Sequence, residues 1–170
     1  DEIPHFVRAA LNSIAVGLHA DTRMLTEHPL PEMGDYQGDH YKTSDEANAA
    51  YWLRLMFVYE RNTDLLLGWG IPRDCLEPGR SIGIEDAQTR FGPVSVWMEL
   101  ADDGSVVSAT VSPPKRNPPE RILLRVRHPR IERMRSVEID GAAWSAFDAG
   151  AESIALPAAR EVVRLTVSYT

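Results

Sequence analysis

The spacing of apolar residues changes once along the chain, near Asn62. Before this point apolar residues recur every three or four positions, as on one face of an α-helix. After it they alternate, as in half-buried β-strands. A single change of this kind indicates a helical part followed by an all-β part. We therefore predict an α+β fold, with a helical segment over residues 1–62 and an antiparallel β-sandwich over residues 63–170.

Two helices are predicted in the first part. The first runs from Ile3 to His19, with Pro4 in the first turn, where its missing N–H is not needed. The second starts at Ser44 and carries apolar residues on nearly every face as far as Val58. A helix that is apolar on most faces is usually buried between several neighbours. Because one partner of this length cannot cover it, we expect further helices from an upstream segment or a partner chain.

Seven or eight short strands are predicted in the second part. Asp102-Asp103-Gly104 and Asp140-Gly141 are typical hairpin turns. Short alternating segments separated by regular turn signals are typical of a β-sandwich. The predicted strands cover residues 64–69, 81–85, 94–100, 106–111, 120–128, 135–139, 153–156 and 161–169.

Charge and hydrophobicity exclude two classes of partner for this chain. The formal net charge is -7, and the acidic surplus lies almost entirely in residues 1–65. An acidic chain binds a phosphate backbone poorly, so nucleic acid is not an expected partner. No apolar run approaches the ~20 residues of a membrane-spanning helix, so a membrane is not expected either. The sequence is compatible with a secreted, a periplasmic or a cytoplasmic protein.

Motifs for common cofactors and nucleophiles are missing from the sequence. The single cysteine, Cys75, excludes an internal disulfide and a Cys-based zinc site. There is no phosphate-binding loop, dinucleotide fingerprint or nucleophile elbow. We therefore expect no cofactor.

The long connection over residues 21–43 holds the densest set of chemistry-bearing side chains. Carboxylates beside aromatic rings are what a glycosidase site needs, namely an acid, a base and flat faces for a sugar ring. The alternative is a solvated acidic loop, which is the usual environment of such charge runs. His28 and His40 could pair with Asp35 or Asp39 around a metal, but the spacing matches no closed zinc or calcium pattern, and no metal site is predicted. The candidates are Glu27, His28, Glu32, Asp35, Tyr36, Asp39, His40 and Tyr41.

Two further groups of side chains have both a structural and a functional interpretation. The tryptophans at 69, 97 and 144 lie in or beside predicted strands, where they are either core residues or exposed coplanar rings of a carbohydrate-binding surface. Trp52 either packs within the helices or faces a groove shared with further helices. Arg121, Arg125 and Arg127 alternate along one predicted strand, which favours an exposed sheet face over a surface for an acidic partner.

Several short stretches resemble one family as a set. In the helical part these are Thr26-Glu27-His28, His40-Tyr41-Lys42-Thr43, Asp45-Glu46-Ala47 and Leu55–Glu60. In the β part these are Gly70–Arg73, Arg90–Ser95, Arg116–Pro119, Arg127-His128-Pro129 and Ser136–Gly141 with Trp144 and Phe147. The set resembles the last helices and terminal β-sandwich of large bacterial six-hairpin (α/α)6-barrel glycosidases.

The resemblance implies a function and a set of site residues. In such barrels the loops between helices surround the active-site cleft. The resemblance therefore implies that Glu27, His28, Asp39 and His40 are catalytic candidates, and that the substrate-binding candidates are Tyr36, Tyr41 and Trp52. It implies the C-terminal part of a glycoside hydrolase acting on a polysaccharide or oligosaccharide, with the sandwich bracing the barrel. The alternative is a non-catalytic β-sandwich module that binds carbohydrate or docks a partner.

Overall fold

The computed structural model describes residues 2–19, 22–26, 28–30, 35–37, 43–158 and 161–169, with the backbone alone at 28–30, 35–37 and 43. The chain divides into two compact units, Asp1–Leu55 and Met56–Thr170. The predicted α+β class, with helices followed by β-sheets, is confirmed.

The first unit is built on two helices of equal length. Helix α1 spans Ile3–Gly17 and helix α2 spans Thr43–Phe57, which extends two residues past the boundary. The segment after α1 returns along it, because the Thr26 N–H donates to the Gly17 carbonyl at 2.8 Å. The same segment is tied to α2, because the Leu25 N–H donates to Glu46 Oε1 at 2.8 Å. These two bonds fix the spacing of the helices at this end.

The connection between the helices contains regular structure that the sequence did not predict. Strands β1 (His28–Leu30) and β2 (Asp35–Gln37) pair antiparallel, with Pro29 opposite Tyr36. Three-residue strands give too short an alternation to be recognised from periodicity. The prediction of a long structureless connection is therefore wrong for these six residues.

The second unit contains two β-sheets. The six-stranded sheet has the order β10-β9-β13-β7-β6-β5, and the five-stranded sheet has the order β11-β12-β8-β4-β3. The strands are β3 Val58–Arg61, β4 Asp64–Leu67, β5 Ser81–Ala87, β6 Val94–Leu100, β7 Val106–Ser112, β8 Arg121–Arg125, β9 Met134–Ile139, β10 Ala142–Trp144, β11 Phe147–Asp148, β12 Ser153–Ala155 and β13 Val163–Tyr169.

Alternating side chains give the six-stranded sheet one buried face, whereas all four residues of β4 in the five-stranded sheet are buried. In β6, Val96 and Met98 are buried while Trp97 and Glu99 are exposed, as a period of two requires. The same alternation continues in β7, β9 and β13. Their inward-facing side chains form a dry core with the central strands of the five-stranded sheet, including Leu65, Leu67, Leu124 and Ile154, each at most 1% exposed.

Two features of the β part differ from expectation. The helical segment predicted over residues 1–62 ends earlier than expected, because residues 58–61 form β3, in which Tyr59 pairs with Leu66 in an antiparallel ladder. Strands β4 and β8 pair in parallel, although an antiparallel sandwich was predicted. A parallel pair needs a long crossover, and residues 68–120 supply it by forming β5, β6 and β7 of the other sheet.

No helix within the described ranges is long and apolar enough to cross a lipid bilayer.

Candidate functional site

A cavity of the helical unit lies between its two helices. It has a volume of about 490 Å³ and is open to solvent on one side. Helix α2 contributes Asp45, Asn48 and Trp52, which lie on one face because they are three and four positions apart. The rest of its lining is Asn12, Ser13, Val16, Gly17, Leu25 and Thr26. We call this cavity the helical cleft.

The chemistry of the helical cleft combines one flat ring with several small polar groups. Trp52 is half-buried and forms part of the lining. Asn12 and Asn48 each carry an amide that both donates and accepts hydrogen bonds, and the Ser13 hydroxyl does the same. Asp45 is the only carboxylate among the described lining residues. Such a lining suits a neutral ligand rich in hydroxyl groups.

Glu46 is adjacent to Asp45 but has a structural role. Its Oε1 accepts the Leu25 N–H at 2.8 Å, so this carboxylate holds the returning segment against α2. Its Oε2 is buried and accepts no hydrogen bond from any described group. Glu46 therefore fixes one wall of the helical cleft and does not line the cavity.

The structure describes only some of the seven site residues predicted from the sequence. Trp52 is half-buried and lines the helical cleft between α1 and α2. His28 and Tyr36 belong to β1 and β2, and only their backbone is described. Glu27, Asp39, His40 and Tyr41 lie outside the described residues. Sequence reasoning overlooked Asp45 and Asn48, although their spacing from Trp52 along one helix was a readable signal.

A carbohydrate-binding surface with Trp97 and Trp144 as exposed coplanar rings, one of the two interpretations of these residues, is contradicted by the strand register. Trp97 stands opposite Gly83 and Thr110, on the outer face of the six-stranded sheet. Trp144 stands opposite Val137, which pairs with Val167 on the buried face. Because directly opposed residues project to the same side of a sheet, the two rings lie on opposite faces. The Trp144 indole N–H also donates to the Ala155 carbonyl at 2.9 Å.

Of the arginines at 121, 125 and 127, which were expected on an exposed sheet face, only Arg121 matches the expectation. Arg121 is exposed and forms a bidentate pair with Asp64, at 2.6 and 2.9 Å. Arg125 lies over the Trp69 ring, with its side chain only 13% exposed. Arg127 donates to the Ile71 carbonyl. Burial, followed by the charges of Arg125 and Arg73, lowers the pKa of Arg127 to about 10.

One carboxylate is shared by the arginines at this end of the sandwich. Glu152 accepts two hydrogen bonds from Arg73, at 2.6 and 2.7 Å, and Arg125 approaches it at 4.0 Å. The glutamate side chain is 14% exposed. Arg73 also donates to the His128 carbonyl at 3.1 Å. This cluster joins three separate loops of the β unit. Its hydrogen bonds therefore hold these loops together and have a structural role.

The described residues include no group of three or more His, Cys, Asp or Glu side chains that could hold a metal ion. The chain matches no protein-family model, no curated protein and no solved structure.

Proposed function

We propose that this chain is the carbohydrate-binding C-terminal part of a glycoside hydrolase, and that the helical cleft holds a sugar unit of the substrate. The observation that carries the proposal is the lining of this cleft, with Trp52 beside Asp45 and Asn48. A pyranose ring offers C–H groups to an aromatic face and hydroxyl groups to amides and carboxylates. The volume of about 490 Å³ is within the range of small-ligand sites.

The cleft supports binding more directly than it supports hydrolysis. Glycoside hydrolysis uses two carboxyl groups placed on either side of the scissile bond. Asp45 is one such group, and Glu46 is engaged with the backbone of Leu25. In this proposal the remaining catalytic groups come from Glu27, Asp39 or a further helical segment.

Exposed apolar side chains on both helices support a further helical partner. Leu11 on α1 is 54% exposed, and Tyr51 and Leu53 on α2 are 51% and 49% exposed. Tyr51 and Leu53 are two positions apart and so lie on different faces of α2, as expected of a helix with neighbours on several sides. The proposed partner is an upstream barrel segment or a separately encoded chain, and the sandwich would brace it.

The proposal is tested by titrating the chain with neutral oligosaccharides in a calorimeter. We expect Trp52→Ala to weaken binding about tenfold, because it removes the aromatic face. Tyr51→Ala is the matched control, since Tyr51 is the adjacent exposed aromatic and does not line the cleft. Equal affinity of wild type and Trp52→Ala for every sugar bound would contradict the proposal.

A further inference from the structure

Trp97 has an unusual position on the outer face of the six-stranded sheet. Its side chain lies between Gly83 of the edge strand β5 and Thr110 of β7, and the residue is 44% exposed. The free energy of a large apolar ring is unfavourable when the ring is in contact with water on a solvent-facing sheet surface. The residues paired directly with Trp97 are Gly83 and Thr110, which are small, and Arg164 stands opposite Thr110 on the next strand, β13.

Gly83 fixes the orientation of the Trp97 ring. A Cβ atom placed on Gly83 would lie only 2.5 and 2.6 Å from the indole atoms Cδ2 and Cε3. The ring therefore lies directly over the backbone of β5, in space that any other residue at position 83 would occupy. One face of the indole is covered by the edge strand, which protects the glycine there. Because the residue is 44% exposed, part of the ring is available to a ligand.

The groove beside the ring is lined by groups that bind hydroxyls. It has a volume of about 100 Å³, and besides Trp97 and Met98 it is lined by Ser81, Glu99, Ser108 and Thr110. The three hydroxyl groups can both donate and accept hydrogen bonds, and the carboxylate can accept two or more. Glu99 is the only charged side chain in this lining, and its negative charge disfavours an acidic ligand.

We propose that this groove, which we call the Trp97 groove, binds one pyranose unit of a neutral polysaccharide. The sugar face would stack on the open side of the indole, while its hydroxyl groups bond to Glu99, Ser108 and Thr110. A shallow groove with one ring implies weak binding by a single unit, strengthened when several chains or units bind together. The site lies in the β unit and is independent of the helical cleft, so either site can exist without the other.

The test is affinity electrophoresis of the whole chain through gels containing neutral polysaccharides such as xylan, glucomannan, soluble amylose and hydroxyethylcellulose. We expect at least one polysaccharide to slow the wild-type chain, and Trp97→Ala to lose at least about three-quarters of that retardation. Tyr59→Ala is the matched control, because Tyr59 is also 44% exposed and lies on the other sheet. It should be retarded like the wild type.

Two further variants separate binding from folding. Trp97→Phe keeps an aromatic ring over Gly83 and should retain part of the retardation. Ser108→Gln fills the groove from an exposed position without altering the core, and should reduce retardation as Trp97→Ala does. Thermal melting of each variant shows that it is folded. A folded Ser108→Gln variant that is retarded as strongly as the wild type would overturn the proposal.

The same gels separate this inference from the proposed function. If Trp52→Ala abolishes retardation and Trp97→Ala and Ser108→Gln do not, the Trp97 groove is not a site and the helical cleft is. If Trp97→Ala and Ser108→Gln abolish retardation and Trp52→Ala does not, the Trp97 groove is a binding site and the helical cleft is not. A wild-type chain that no polysaccharide retards would overturn the Trp97 groove.

Discussion

Glu152 is the residue on which the arginine cluster depends. Its backbone has a φ of 57°, in the left-handed region that non-glycine residues seldom adopt. Its carboxylate nevertheless receives both hydrogen bonds of Arg73, and its carbonyl accepts the Val126 N–H at 3.0 Å. These contacts hold the turn in a conformation that the chain alone would disfavour.

Removal of the Glu152 charge should therefore be costly. We expect Glu152→Gln to lower the free energy of unfolding by about 2 kcal/mol or more, because Arg73 and Arg125 lose their shared counter-ion in a largely buried place. Glu77→Gln is the control, since Glu77 pairs with Arg80 at an exposed position. Its change should stay within about 0.5 kcal/mol. Urea denaturation measures the free energy of unfolding of both variants. Equal small losses of this free energy would contradict the structural role of Glu152.

Asp64 is a second residue whose charge stabilises the fold. Hydrogen bonds from Arg121 hold the pKa of the Asp64 carboxyl below its usual range. In the unfolded chain this pKa returns to about 3.9, so the unfolded state binds more protons at acid pH. The contribution of Asp64 is therefore fully present above about pH 4 and is lost as the pH falls through the folded pKa.

The acid dependence of stability should identify this contribution. We expect wild type to lose more free energy of unfolding than Asp64→Asn between about pH 4 and pH 2, because the asparagine cannot be protonated in this range. Chemical denaturation at each pH gives the two curves. Parallel curves through this range would show that the Arg121 pair contributes nothing to folding.

At the scale of single elements, the turn after β4 depends on a glycine. Gly68 has a φ of 68°, and a Cβ atom there would lie 2.6 Å from the Arg125 carbonyl oxygen. Its N–H donates to the Phe57 carbonyl at 2.8 Å. The close approach of three segments at this point leaves no room for a side chain.

Two glycine variants separate this crowding from backbone strain. Gly141 has a φ of 81°, and nothing lies within 4 Å of a Cβ placed there. Gly141→Ala should therefore cost only the left-handed strain, about 1–2 kcal/mol. Gly68→Ala should cost about 1–3 kcal/mol more, because it adds a clash with backbone that cannot move away. Equal shifts in melting temperature would contradict the described packing.

The elements differ in how well the sequence predicted them. Strands β6, β7 and β13 follow from alternation and turn residues, and their bounds agree with the structure within two residues. Strand β3 was assigned to the preceding helix because Val58 and Tyr59 also fit helical spacing. Its identity depends on pairing with β4, which is a tertiary contact. The arginines of β8 were expected to be exposed because the sequence gives no sign that Glu152, 27 residues later than Arg125, meets them.

At the scale of the whole molecule, all strand pairing of the β unit is internal to residues 58–169. We therefore expect residues 56–170 to keep a dispersed amide spectrum when produced without residues 1–55. The Trp144 indole N–H should remain slow to exchange with solvent, because it donates to the carbonyl of the half-buried Ala155. Loss of this protection would show that the β unit needs the helical unit to fold.

The candidate sites were only partly predictable from the sequence. Periodicity placed Trp52 and Trp97 on a helix and a strand, but it could not tell which tryptophan faced water. That distinction depends on register, since Trp97 and Trp144 both lie in the six-stranded sheet but on opposite faces. The polar lining of the helical cleft comes from residues of α1 and α2 that are more than 30 positions apart. Only the fold brings them together.

The most direct test of carbohydrate recognition uses the four indole N–H resonances of the whole chain as internal probes. Neutral oligosaccharides would be titrated into the ¹⁵N-labelled protein, with each resonance assigned from a single Trp→Phe variant. We predict that the Trp52 resonance shifts on binding to the helical cleft, while Trp69 and Trp144 stay unchanged. Movement of the Trp97 resonance would report the second site separately. A Trp52 resonance that stays fixed through every titration would contradict the proposed function.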